Sequence, residues 1–201
     1  MLSFSARLTR KFRNCSSGLA AVEFALFLPI MITMFFGMIE VADAVLADRR
    51  VTIATNNAAD LAAQSLELTP QDIQGLFDAS VSVLQPGNTD NITMTIVSVV
   101  SDSNDNPIVH WAVDKTGADS TEFPRGADFD LFSESFTTGN NGFLLNQGIA
   151  VIYVIITYPY ETPFTHRFVD MTINFNQNSI RVPRDVPRVQ LCDVNMSNCT
   201  S

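Results

Sequence analysis

The sequence predicts an α+β protein in which a long N-terminal transmembrane helix and stem precede a small, mostly antiparallel β-rich domain. Three observations carry that expectation. Residues 19–39 form a 21-residue apolar stretch whose one charge is Glu23. The run from Glu40 to Leu68 is rich in Ala and holds neither Gly nor Pro. From about Ala79 onward, β-branched runs alternate with turn residues. With 201 residues and 46% apolar content, the chain can bury one ordinary core and still carry an appendage.

The apolar stretch is taken first. At about 1.5 Å per helical residue it matches a hydrocarbon core of about 30 Å. Eleven of its residues are Leu, Ile, Phe or Val, each favouring insertion by roughly 0.3–0.6 kcal/mol, against a penalty of about 3 kcal/mol for one central acid. Insertion therefore wins, the more so because Glu23 lies near one end. Arg7, Arg10, Lys11 and Arg13 precede Gly18 with no acid among them, so the positive-inside rule places the N-terminus in the cytoplasm and the rest across the membrane. An ordinary secretory signal would need an apolar core of about 7–15 residues. This stretch is longer, and the small-x-small triplet Ala42-Asp43-Ala44 lies after two acids.

An ionisable residue inside a spanning helix is costly, so it marks a functional position with a partner. Glu23 is the fifth residue after Gly18, behind a basic leader and at the head of an apolar helix. That arrangement resembles the processing site of type IV prepilins. The resemblance extends through Gly18-Leu-Ala-Ala-Val-Glu-Phe-Ala-Leu-Phe-Leu-Pro29, Gly37-Met-Ile-Glu40 and Asn56-Asn-Ala-Ala-Asp-Leu-Ala-Ala63, and here it is to the TadE-like family of the tight-adherence (Flp) pilus system. It implies a minor pseudopilin of the bacterial inner membrane with a periplasmic or exported C-terminal domain. A prepilin peptidase would cut between Gly18 and Leu19, and Glu23 would meet the new amine of a neighbouring Leu19. The implied partners are that peptidase, other pilus or pseudopilin subunits, and the membrane assembly platform. The physical logic is sound, because two opposite charges in low dielectric offset each other's desolvation where either alone could not. Pro29 fits the same pattern and would kink the helix.

The expected organisation is a basic leader over 1–18, the transmembrane helix and stem over 19–68, and the β-rich domain over 69–201. In the stem, Ala44, Val51, Ala58 and Ser65 form one row of a seven-residue seam, and Ala47, Ala54, Leu61 and Leu68 the other. Periodicity identifies this buried stripe without saying whether the chain's own domain or a partner helix covers it. Thr69-Pro70 reads as the cap and first residue of a short helix ending near residues 75–77. Strands are expected over 81–84, 91–101, 107–113, 149–158 and 179–182, with Met171, Ile173 and Phe175 alternating before a turn at 176–178. The 149–158 run is nearly all apolar and reads as a central strand. Its continuation through Tyr158-Pro-Tyr160 and the late Arg181-Val-Pro-Arg184 add to the family resemblance.

The rest of the composition narrows function by exclusion. The 12 basic and 21 acidic residues leave the chain beyond Gly18 strongly acidic, which opposes any grip on nucleic-acid phosphates. Asp128, Asp130 and Glu134 lack the loop glycine and further oxygen ligands of an EF-hand, so a solvated loop is the simpler reading than calcium. His110 beside Trp111 reads as a structural histidine, and His166 as a solvated one. Cys192 and Cys199 could pair as a disulfide or remain free thiols; without a second ligand pair they do not read as a zinc site. No nucleophile motif or phosphate loop is present, so the expectation is no enzyme, no metal and no cofactor. The competing functional reading is an uncleaved, membrane-anchored binding or scaffold protein, adhesin-like, that acts through its β-rich domain.

Overall fold

The computed structural model describes residues 17–85, 87, 89–101, 107–129, 150–162, 172–196 and 198–200. Residues 1–16 of the basic leader, the 102–106 turn, Asp130, Glu134, His166 and Met171 lie outside the described residues. Contacts divide the chain into two compact units, Met1–Asp43 and Ala44–Ser201.

Helix α1 runs Ser17–Gln64 and carries Pro29 inside it. The Thr33 hydroxyl donates back to the Pro29 carbonyl at 2.7 Å, a bond of the kind that bends helices. In the first unit the helix surface is apolar on every side, with Phe24, Leu26, Phe27, Ile30, Met34 and Phe35 all exposed. A helix hydrophobic all round suits lipid. It is the one helix among the described residues that is long and apolar enough to cross a membrane.

The second unit adds β1 (Glu67–Leu68), α2 (Pro70–Leu84), β2 (Thr93–Ser101), β3 (Pro107–Asp114), β4 (Ala150–Glu161), β5 (Thr172–Arg181) and β6 (Gln190–Leu191). Strands β2 to β5 make one antiparallel sheet in the order β3-β2-β4-β5, and β1 pairs with β6 in a separate parallel ladder. The α+β architecture expected from the sequence is therefore present, including the β2–β3 pairing and a central β4.

Alternation along the strands sorts side chains to two faces. Met94 and Ile96 of β2 and Ile152, Val154 and Ile156 of β4 join the stem alanines and Ile73 in the main core. Val97, Val99, Val151 and Tyr153 point the other way, into a smaller cluster closed by Phe129. Both faces of β4 are covered, which explains its unbroken apolar run. Trp111 and Val113 of β3 face the main core, where the Trp111 indole N–H donates to the Val189 carbonyl at 2.9 Å, and the register shift at Ser98/Val99 turns Val109 to the other face.

Several local expectations are corrected. The stem helix ends at Gln64, and Leu68, expected to be helical, is a buried strand residue paired with Leu191. The buried stem positions are Ala47, Val51, Ala54, Thr55, Ala58, Ala59, Ala62 and Ala63, whereas Leu61 is exposed. Their spacing follows the 3.6-residue helical period, which suits a straight helix lying on a sheet, rather than the strict 3.5 of a coiled-coil seam. Helix α2 continues past Gly75 to Leu84, so residues 81–84 are helical and not a strand. A capping box starts it: the Thr69 hydroxyl accepts from the Asp72 amide at 3.3 Å, and the Asp72 carboxylate accepts from the Thr69 amide at 2.9 Å. Ile73, Ser80 and Leu84 then bury one face, and that burial outweighs the strand preference of Val81 and Val83. The turn expected at 176–178 is continuous strand: Asn176, Gln177 and Asn178 pair with Thr157, Ile156 and Ile155.

Candidate functional site

The residues expected to serve processing and assembly lie on the first turns of α1. Gly18 and Glu23 are both helical and exposed, and Pro29 lies one and a half turns beyond Glu23 on the same helix. Glu23 is thus a carboxylate carried on an otherwise apolar, lipid-matching surface. Such a group binds a cation or an amine more readily than it stands alone in lipid. The space around Gly18 is open: a Cβ there would have nothing within 4 Å.

A second set of residues fixes the stem in the β-rich unit, and sequence reasoning missed it. Asp48, Thr52, Asn56 and Asp60 recur every four residues along α1. Asp48 Oδ1 accepts from Gln177 Nε2 at 2.7 Å. Asn56 Oδ1 accepts from the Ser179 hydroxyl at 2.8 Å and from Arg181 Nη2 at 3.0 Å, while Asn56 Nδ2 donates to the Thr52 carbonyl at 2.9 Å. Asp60 takes the Arg184 guanidinium at 2.7 Å, an exposed pair that adds little by itself. Gln177, Ser179 and Arg181 share one face of β5, as strand alternation requires. The signal available in sequence was the four-residue polar spacing, read beside the alternating polar residues of β5.

The other candidates sort as follows. Cys192 and Cys199 are joined by a disulfide. Glu67 lies close to their sulfurs, but both thiols are consumed in that bond and cannot serve as thiolate ligands. His110 stands on β3, half-buried. Asp128 makes an isolated β-bridge with Ile108. A surface recess of about 410 Å³ beside the disulfide is bordered by Asp119 and Arg125, which engage each other at 3.4 Å.

The arrangement is an exposed apolar helix with one carboxylate, Glu23, near its head, continuing into an Ala-faced stem packed on a four-stranded sheet. Residues 18–60 match the family model described as TadE-like protein, so the likeness to that family lies in this segment. The match covers the motif, the apolar helix and most of the stem. No curated protein and no solved structure matches the chain.

Proposed function

We propose that the protein is a minor pseudopilin-like component of a tight-adherence pilus assembly system, cut by a prepilin peptidase after Gly18 and docked through its N-terminal helix. The observation that carries this reading is the TadE-like match beginning at Gly18, on a helix whose exposed apolar surface bears Glu23. Cutting there would free the Leu19 amine, and Glu23 of one subunit would neutralise the ammonium of another within the membrane. The chain acts as a substrate and a subunit, not as a catalyst. Its C-terminal domain lies on the far side of the inner membrane, and its neighbours are other pilus subunits and the assembly platform.

Intact mass and N-terminal sequencing of the membrane-inserted protein test the processing step: a mature chain that begins at Leu19 is expected, and one that retains Met1 or begins at Val45 refutes it. Glu23→Ala tests docking separately. It should abolish pilus assembly while membrane insertion and the processed mass stay normal; assembly at wild-type levels would favour the uncleaved, adhesin-like alternative.

A further inference from the structure

Beyond β5 the chain turns back and works as a strap over the end of the stem. The Arg184 amide donates to the Ala63 carbonyl at 3.3 Å, the Gln190 amide to Leu66 at 3.3 Å, and the Cys192 amide to Leu68 at 2.9 Å. Ala63 lies in the last turn of α1, where carbonyls have no partner within the helix, and Leu66 and Leu68 accept along the ladder between β1 and β6. Val189 is fully buried and accepts from Trp111, so the strap also reaches the main core. At its far end Cys192 is buried, Cys199 is exposed, and the Thr200 amide donates back to the Leu191 carbonyl at 2.9 Å. The ladder that the strap completes, β1 with β6, is only two residues long on each side. A ladder that short is marginal without a further tie.

We infer that the Cys192–Cys199 disulfide is a thiol-sensitive latch on this strap. Closed, it holds β6 against β1 and so fixes the C-terminal end of the stem; open, it releases β6 while the four-stranded sheet stays folded. The opening step needs a dithiol reductant. One of its thiolates attacks the exposed Cys199 sulfur, the S–S bond breaks, and Cys192 leaves as a thiolate that takes up a proton. The second thiol resolves the mixed disulfide, so the protein gains two electrons and two protons and the reductant becomes a disulfide. In an oxidising compartment the latch is closed, and in a thiol-rich one it is open.

The ring is small, with a sequence separation of 7, and the chain entropy that it removes corresponds to roughly 60-fold in the opening equilibrium. Hydrogen exchange on the full chain in detergent micelles reads this out, in a Cys15→Ser background so that only this pair responds. The oxidised protein is compared with the same protein held in dithiothreitol, and with a Cys192→Ser/Cys199→Ser variant. In both reduced forms the amides of residues 190, 192 and 200 should exchange roughly 60-fold faster, with β2 and β4 amides unchanged. Exchange at the strap that differs by less than about threefold overturns the latch, as does loss of protection throughout β2 and β4, which would make the bond a staple of the whole domain.

Discussion

Asn56→Leu should separate a stem held by specific polar pairing from one that merely rests on alanines. Leu keeps the branched outline of Asn and is larger, so the substitution leaves no cavity, and it favours the helix slightly. What it removes is the acceptor for the Ser179 hydroxyl and for Arg181 Nη2. A hydrogen bond from a charged donor contributes about 1.5–3 kcal/mol and a neutral one about 1 kcal/mol. Arg181 is half-buried and keeps its bond to the Ile180 carbonyl, so its share falls at the low end. Ser179 is buried and would lose its partner outright. The net expectation is a loss of about 2.5 kcal/mol, or about 5–10 °C in Tm for a unit of this size. Urea unfolding in detergent, followed by the fluorescence of Trp111, the chain's one tryptophan, measures it. In a Ser179→Ala background the same substitution should cost about 1 kcal/mol less, because the buried hydroxyl that it orphans is already gone. A single-mutant loss below about 0.5 kcal/mol, or no coupling to Ser179, would refute the reasoning.

Two further outcomes follow from the same unit. Gly117 has φ +80°, and a Cβ there would lie 2.7 Å from Pro70 Cβ; Gly117→Ala should cost about 3 kcal/mol, from the left-handed backbone and the clash together. Gly126, at φ +77° with nothing within 4 Å, is the control, and Gly126→Ala should cost only about 1 kcal/mol by the same denaturation assay. Desolvation raises the pKa of Tyr153 and of Tyr158 above their ordinary value of 10.0. The folded state therefore resists ionising phenols that the unfolded chain ionises freely, so this contribution is fully present below about pH 10 and is lost as pH rises through the folded values. The denaturation midpoint should fall from about pH 10 upward, and Tyr158→Phe should blunt that fall; a slope unchanged in the variant would assign the alkaline loss elsewhere.

Much of this molecule is legible in the chain because the signals are local or strongly periodic. The apolar stretch after Gly18 reads as a helix long and apolar enough to cross a membrane, and Ile152 to Ile156 read as a central strand because both faces of that strand are covered. The errors cluster where local preference and tertiary burial disagree. Val81 and Val83 are good strand formers, yet Ile73 and Leu84 anchor them in a helix against the main core. Asn176, Gln177 and Asn178 look like a turn because the two Asn residues favour turns in isolation; on β5 all three pair with β4, and Gln177 also meets Asp48 from the stem.

By itself the sequence determined the lipid-matching helix, the Gly18–Glu23 motif at its head, and the alternation that makes the antiparallel sheet, because each is a pattern of near neighbours along the chain. The tertiary structure alone decided what covers the alanine stripe within the second unit, how Asn56 came to face Ser179 and Arg181, and that the chain beyond β5 returns to the end of the stem. Those contacts join residues more than a hundred positions apart. No periodicity encodes such a pairing; it is fixed only when the sheet's faces, the helix surface and the strap must all be buried and hydrogen-bonded at once.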